Sequence, residues 1–342
     1  MHFFKFYFIT FFVSVISFNV LSGQEVSPAP PENFYNKSLH FTNHGIEFLY
    51  ARQQGGLERL VGLSAAELGC LQAKCHVKTC DECHEKLVDG KSTYSLEPAR
   101  AQEVCSKCHP VAADDPDVHF QAGMKCMDCH TAREIHGDGI AHKTYMEPGF
   151  FDTSCQKCHT ALSQITSHTV HQNKVSCEAC HTRDFITCLN CHVDTRIKEK
   201  KDVQIELKDL IFLINHDGQV TTANFMTHVY QEKTMITIAP YFSHSLKKAG
   251  RNCPECHNNS IVNDIRKNRF TPFKWENEQV RQITGVIPVL EGMKWDLIYL
   301  DYQHGQWSLI SNPAEPLLNY SGYCSPLSEQ QFAKLARAQS RQ

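Results

Sequence analysis

The chain repeats a short motif that sets two thiols and an imidazole side by side. Cys-x-x-Cys-His occurs seven times in the 342 residues. The seven copies are Cys80/Cys83/His84, Cys105/Cys108/His109, Cys126/Cys129/His130, Cys155/Cys158/His159, Cys177/Cys180/His181, Cys188/Cys191/His192 and Cys253/Cys256/His257. This triplet is used to attach c-type haem: the two thiols form thioether bonds to the two vinyl groups of the porphyrin, and the histidine binds the iron from one side.

A variant of the motif precedes the first regular copy, in the stretch "GCLQAKCHVKTCDECHE". Here Cys70, Cys75 and His76 keep the Cys-His ending but have four residues between the cysteines. A longer spacer can bulge outward while the two thiols still reach the two vinyl groups. The sequence therefore predicts eight covalently attached haem c groups, or seven if Cys70 and Cys75 are not a site.

Two other uses of cysteine compete with this interpretation. Seventeen cysteines in an exported chain are compatible with a disulfide framework, and zinc ribbons also use Cys-x-x-Cys. Neither needs a histidine after every pair. With 20 histidines in the chain, roughly one pair in seventeen would be followed by histidine by chance, whereas all seven are. The spacing therefore favours haem over zinc or disulfides.

A second histidine on the opposite side of each iron would complete its coordination. Outside the motifs and His2, eleven histidines are available for eight haems. We expect the second ligands chiefly among seven of them: His44, His119, His136, His168, His171, His228 and His244. His168 and His171 are three residues apart, so on a helix they would lie on neighbouring sides and serve different haems.

The remaining candidates for axial ligands are weaker. His40, His142, His216 and His304 are less certain than His228. Methionine ligation would raise the potential of a haem, but methionine on an apolar face usually packs in a core.

The repeated motifs make the chain similar to multihaem cytochromes c, specifically to octahaem ones. The resemblance covers residues 70–192 and 253–257. Cys-x4-Cys-His is familiar from small tetrahaem cytochromes of the cytochrome c3 type, and eight haems from the hydroxylamine oxidoreductase and tetrathionate reductase families. The resemblance implies haem attachment and redox partners such as other cytochromes or quinol-linked reductases. It leaves the substrate, if there is one, open.

The density of motifs predicts the fold around them. Seven sites fall within residues 70–192, which leaves under eighteen residues for each haem. We therefore expect a mainly α-helical and irregular multihaem fold packed on its haems, with a smaller β-containing C-terminal region. Asp217-Gly218 between alternating apolar residues predicts a hairpin in that second region. The predicted divisions are a signal peptide (1–23), an N-terminal arm (24–69), the haem-dense region (70–192) and a C-terminal region with one haem (193–342).

The first 23 residues, "MHFFKFYFITFFVSVISFNVLSG", have the apolar run and small-residue end of a cleaved export signal. We therefore expect a periplasmic or extracellular protein with no stable membrane span after cleavage. The formal net charge of −3 gives no basic surface for nucleic acid.

These features support three functions. The first is an electron carrier that conducts electrons between partners through closely packed, mostly bis-histidine haems. The second is an octahaem oxidoreductase that acts on a small nitrogen or sulfur compound at one open haem. The third is a subunit of a polymerising cytochrome, which requires self-association. Whether the chain is an enzyme depends on whether every iron has two protein ligands, and no catalytic residue is predicted.

Overall fold

The structure is a computed structural model that describes residues 34–69, 76–109, 117–183, 185, 187–268 and 270–337. Its helices are short, with four to seven residues in each described α-helix. They are α1 (His44–Tyr50), α2 (Glu58–Val61), α3 (Asp81–His84), α4 (Leu96–Ala99), α5 (Gln102–Ser106), α6 (Val118–Gln121), α7 (Cys126–Cys129), α8 (Ala132–His136), α9 (Cys155–Cys158), α10 (Thr166–His171), α11 (Cys177–His181), α12 (Val193–Glu199), α13 (Cys253–Cys256), α14 (Ser260–Arg266) and α15 (Glu329–Leu335). Two 3-10 turns, Tyr35–Lys37 and Arg52–Gln54, lie in the N-terminal arm.

The strands form one large sheet and three separate hairpins. They are β1 (Glu85–Val88), β2 (Lys91–Tyr94), β3 (Thr187–His192), β4 (Ile205–Leu207), β5 (Leu210–His216), β6 (Gln219–Tyr230), β7 (Lys233–Pro240), β8 (Phe273–Glu276), β9 (Gln279–Gln282), β10 (Gly285–Pro288), β11 (Leu300–Gln303), β12 (Gln306–Leu309) and β13 (Leu317–Tyr320). The hairpins are β1–β2, β8–β9 and β11–β12.

The large sheet is built around the long strand β6. On one side β6 pairs antiparallel with β7 along most of its length. On the other side its first half pairs antiparallel with β5 and its second half pairs parallel with β3. The predicted hairpin is present between β5 and β6, where Asp217 and Gly218 both have positive φ. Three further strands extend the sheet: β10 pairs with β5, β13 pairs with β7, and β4 pairs with β3.

One face of this sheet carries the main hydrophobic core. Phe212 and Phe225 stack with their ring centroids 4.4 Å apart, and neither side chain is exposed. The ring of Trp295 packs against both, and the side chains of Ile261 and Ile265 on α14 and the thiol of Cys324 lie in the same core. Because β-branched and aromatic residues fill this face, the sheet has a packed interior formed by the polypeptide itself.

The predicted fold class is therefore wrong. We expected a mainly helical and irregular fold with a smaller β region, but a seven-stranded sheet organises residues 187–320 and another hairpin, β1–β2, lies among the motifs. The apolar stretch "LIFLI" in β5 is buried on both faces, as expected of a central strand. Strand character is visible in this stretch of the sequence, but the density of motifs favours a helical prediction because it reflects only where cofactors would attach.

The sheet also takes up part of the predicted haem-dense region. The sixth regular motif, Cys188/Cys191/His192, lies on β3 inside the sheet.

In the part of the chain described, no helix is long and apolar enough to cross a membrane.

Candidate functional site: a row of facing histidine pairs

Six of the regular motifs fold into a single tight helical turn. In five of them the amide of the histidine donates a hydrogen bond to the carbonyl of the first cysteine, at 2.8–2.9 Å: His84, His109, His130, His159 and His257. In the sixth, Cys177 and His181 begin and end α11. Residues three and four apart on a helix share a face, so each turn directs two thiols and an imidazole to one side.

Each of these six motif histidines faces a second imidazole. The ring centroids lie 5.9–6.3 Å apart in every case. The pairs are His84–His136, His109–His40, His130–His244, His159–His119, His181–His168 and His257–His171. Every pair joins one motif histidine to one histidine outside the motifs, and no histidine is used twice.

The spacing suits a metal ion held between the two rings. A metal bonded to one nitrogen of each of two facing imidazoles, at about 2 Å, keeps their centroids about 6 Å apart. Aromatic rings in ordinary contact also occur at this separation, so one pair would mean little. Six pairs with the same composition and spacing, each beside two free cysteines, form a repeated site.

Hydrogen bonds at Nδ1 orient most of these rings. Eight of the twelve paired histidines have Nδ1 within hydrogen-bonding distance of an oxygen, which leaves Nε2 for a metal: His84, His119, His130, His136, His168, His171, His181 and His257. Six of the oxygens are backbone carbonyls, and two belong to the carboxylates of Asp117 and Glu134. Metal-binding histidines are usually held in this way, because the second hydrogen bond fixes tautomer and orientation.

Helix α8 shows how the sequence positions two sites at once. Thr131 and Glu134 form a capping box at its first turn, the signature that "TARE" carries in the sequence. The same Glu134 carboxylate, which is buried, lies 2.7 Å from Nδ1 of His130. Burial acts to raise the pKa of Glu134, but hydrogen bonds from His130 and Thr153 outweigh it and keep the pKa below its usual value. The end of the helix carries His136, which faces His84.

Helix α10 likewise contributes to two sites. His168 faces His181, and His171, one turn later, faces His257. The two histidines therefore lie against different motifs.

The six sites follow one another in space in the order of the chain. The pKa of Cys83 is raised chiefly by burial, with a contribution from the thiol of Cys108. Burial and a neighbouring thiol likewise raise the pKa of Cys105 (beside Cys126), of Cys129 (beside Cys158) and of Cys180 (beside Cys253). The pKa of Cys155 is raised first by a hydrogen bond with Cys177 and then by burial. We call this series the histidine-pair row, from the site of Cys80 to that of Cys253.

A cavity adjoins the first site of the row. Its volume is about 430 Å³, and Cys83 lies in its wall with Leu87, Val104 and Lys107. Three carboxylates, those of Asp81, Glu82 and Glu85, line the same cavity, so its wall carries more acidic than basic groups.

One member of the row, His40, is among the weaker candidates that the sequence offers. His40 faces His109, and burial lowers its pKa, as do the neighbouring imidazoles of His109, His136 and His130. It lies far from its partner in the sequence, between a 3-10 turn and α1, and nothing in its local sequence distinguishes it. The predicted ligand His44 begins α1 and does not face a second imidazole within the described residues.

Two of the predicted sites are not members of the row. Cys70 and Cys75 lie outside the described residues, but both ring nitrogens of His76 are buried and lack a hydrogen-bond partner among the residues that are described. The peptide next to it, at Val77, donates to the carbonyl of His40, so this motif adjoins the row.

The motif on β3 has a different backbone. Asn190, between Cys188 and Cys191, has a φ of 55°, and the pairing of β3 with β6 shifts register there. Its amide donates to Thr227, and its side-chain oxygen accepts from the amide of Leu300. These bonds fix Asn190 between β6 and β11, so the motif forms a bulged strand in place of a helical turn.

The histidine of this motif, His192, forms a hydrogen bond with a carboxylate, that of Asp301. His192 is buried, its Nδ1 lies 2.8 Å from Oγ1 of Thr195, and its Nε2 lies 2.9 Å from Oδ1 of Asp301. Burial acts to raise the pKa of Asp301, but hydrogen bonds from His192 and Gln303 hold it below its usual value. The rings of Tyr302 and Trp307 flank the imidazole.

His228, predicted as a second ligand, is in register with Cys191 on the neighbouring strand. Desolvation within the sheet lowers its pKa to about 4. Among the described residues it faces no second imidazole.

Comparison with known proteins adds no relative: no family model, no curated protein and no solved structure matches the chain. Within the described residues, no group of three or more histidine, cysteine or acidic side chains converges on one point where a metal ion would bind.

Proposed function

We propose that the chain is an exported multihaem cytochrome c that carries electrons between redox partners. The observation that carries the proposal is the row of six sites, in each of which a Cys-x-x-Cys-His turn faces one further histidine. Two thiols for a porphyrin and two imidazoles for its iron are the complete ligand set of a covalently bound, six-coordinate haem.

The residues of each site have separate roles in this proposal. The two cysteines would hold the porphyrin covalently, the motif histidine would bind the iron, and the facing histidine would occupy the opposite axial position. Haem bound in this way supplies a one-electron iron couple. Paired histidines leave no position on the iron for a substrate, so six such sites favour an electron carrier over an oxidoreductase.

The arrangement of the sites supports conduction. Thiols of successive motifs lie close enough to shift one another's pKa along the row. The haems held by neighbouring motifs would therefore lie close together. Electrons would enter and leave near the two ends of the histidine-pair row, at the sites of Cys80 and Cys253. The partners would be other cytochromes or quinol-linked reductases, in the periplasm or outside the cell.

The proposal is tested by counting haems on the exported protein. The full chain is expressed with its own leader in a host that attaches haem covalently, and its intact mass is measured after denaturation, which removes any haem that is not covalent. We expect the mass of the chain without residues 1–23 plus seven or eight haems. A matched variant, Cys155→Ser with Cys158→Ser, should lose one haem and keep the others. A colourless protein, or one that contains zinc in proportion to its cysteine pairs, would contradict the proposal.

A further inference from the structure

The two cysteines of the motif on β3 share one face of the large sheet. The bulge at Asn190 brings Cys188 into register with Met226 of β6 and Cys191 into register with His228. Met226 and His228 are two residues apart on one strand, so their side chains lie on the same face. Because residues paired across a sheet share a face, both thiols lie on that face as well.

The imidazole of this motif lies on the other face. His192 is in register with Val229, the residue next to His228, and successive residues of a strand point to opposite faces. To hold one porphyrin, two thiols and an imidazole have to lie on the same side of the chain, as the helical turns of the row place them. On β3 the sheet separates the thiols from the imidazole.

Neither ring nitrogen of His192 is available to an iron. Nδ1 lies 2.8 Å from Oγ1 of Thr195 and accepts a hydrogen bond from the amide of the same residue, at the start of α12. Nε2 lies 2.9 Å from Oδ1 of Asp301. An iron bound to Nε2 would lie about 2 Å from that nitrogen, and the carboxylate leaves no room for it.

The motif is also more enclosed than the motifs of the row. Cys188 is buried, whereas every cysteine of the six row motifs is exposed or partly exposed. Leu189 and Asn190, between the two cysteines, are unexposed, and β3 lies between β4 and β6 in the sheet. The residues of this motif therefore do not fit a haem.

We propose that the motif Cys188/Cys191/His192 carries no haem and is a structural part of the sheet. Its histidine caps α12 through Nδ1 and ties the β11–β12 hairpin to β3 through Asp301. Its cysteines form no thioether bond. The protein then has at most seven haems, six in the row and one at Cys70/Cys75/His76. This inference rests on the proposed function, because it sets one motif apart from others that bind haem.

Peptide mapping of the full, haem-loaded protein tests this proposal without any substitution. After denaturation, reduction and alkylation, trypsin should release residues 184–196, "DFITCLNCHVDTR", with both cysteines alkylated and no haem. The matched control is the preceding peptide, residues 175–183, "VSCEACHTR", which contains a motif of the row and should carry haem.

The outcomes of the mapping separate the two proposals. Haem on peptide 184–196 would overturn the inference and leave the proposed function standing. If neither peptide carries haem, the proposed function and the inference both fail.

The second test concerns His192 itself. His192→Ala should leave the spin state of every haem unchanged, as measured by electron paramagnetic resonance of the oxidised protein. It should raise the equilibrium constant for unfolding in urea at least about tenfold, because Asp301 loses a hydrogen-bond partner and α12 loses its cap. His181→Ala, in the row, is the matched control and should give one high-spin haem. A high-spin haem in His192→Ala, or unfolding equal to that of the parent protein, would contradict the structural role.

Discussion

At the scale of single residues, the facing histidines make the most specific claim. His40 is the member of the row that local sequence does not indicate. A variant of His40 therefore tests the structure and not only the sequence pattern. His40→Ala should convert one low-spin haem to high-spin, because only His109 would remain on that iron. Electron paramagnetic resonance of the oxidised protein measures the change.

The matched control for this experiment is His304→Asn. His304 is exposed at the turn between β11 and β12 and has a φ of 51°, a conformation that asparagine adopts readily. Its replacement should leave all spin states unchanged. A low-spin spectrum in His40→Ala that equals that of the parent protein would remove His40 from the row.

The hydrogen bond between His130 and Glu134 gives a second prediction at the scale of single residues. Glu134 is buried and lies 2.7 Å from Nδ1 of His130, while it also accepts from the amide of Thr153. Glu134→Gln should lower the free energy of unfolding by about 1–3 kcal/mol, since a buried charge-assisted hydrogen bond is lost. It should also raise the potential of the haem at His130, because a carboxylate on Nδ1 makes the imidazole a stronger donor to oxidised iron.

Two measurements check the Glu134 variant. Denaturant unfolding gives the stability, and a spectroelectrochemical titration gives the potential. Glu147→Gln is the matched control, since Glu147 lies 2.6 Å from Nδ1 of His142, a histidine outside the row. It should leave every potential unchanged. Equal shifts in the two variants would contradict a role for Glu134 at a haem.

His228 gives a prediction about pH. Its pKa is lowered to about 4 by desolvation, below the usual 6.5. As pH falls below about 6.5 the unfolded chain binds this proton and the folded chain does not, so stability is lost on acidification. For this single group the loss between pH 7 and pH 5 is about 2 kcal/mol.

His228→Leu should therefore lose about 2 kcal/mol less stability than the parent protein between these two pH values. Urea unfolding of the fully loaded protein at both pH values measures the difference. An equal loss in the two proteins would show that His228 is not a neutral histidine in the folded state. A spin change in the variant would instead identify it as an iron ligand.

At the scale of elements, the sheet and the histidine-pair row contribute differently to stability. Phe225 is unexposed at the centre of β6 and stacks on Phe212. Phe225→Ala should lower the free energy of unfolding by about 3–5 kcal/mol, as expected for a large side chain removed from a packed core. Leu309→Ala, at an exposed position of β12, should change it by less than about 0.5 kcal/mol. Denaturant titration compares the two, and equal effects would contradict a polypeptide core in the sheet.

The elements also show which features the sequence could predict. Helical turns at the motifs follow from local spacing, and so does the placement of His168 and His171 against different motifs. The hairpin at Asp217-Gly218 follows from turn chemistry. All of these depend on residues that are close in the chain.

Features that depend on distant residues could not be predicted. The pairing of His40 with His109 and of His244 with His130 is brought about by the tertiary fold. The bulged strand at Cys188 exists because β6 and β11 bind Asn190 from either side. The same limit explains the wrong fold class, since motif density describes where cofactors attach and says little about the sheet that supports them.

At the scale of the whole molecule, the sites divide into two groups. Six form the histidine-pair row, and the site on β3 lies within the large sheet, with a carboxylate where the others have an imidazole. Under the proposed function, a row of six-coordinate haems would carry electrons. The sheet holds the motif on β3 in place through the two hydrogen bonds of Asn190.

The central claim is that facing imidazoles bind iron on both sides. Near-infrared magnetic circular dichroism of the oxidised, fully loaded protein tests it most directly, because the band position identifies the pair of axial ligands on each low-spin haem. We predict an intensity equal to at least six bis-histidine haems per chain. An intensity below six, or bands of histidine–methionine ligation in their place, would contradict the account.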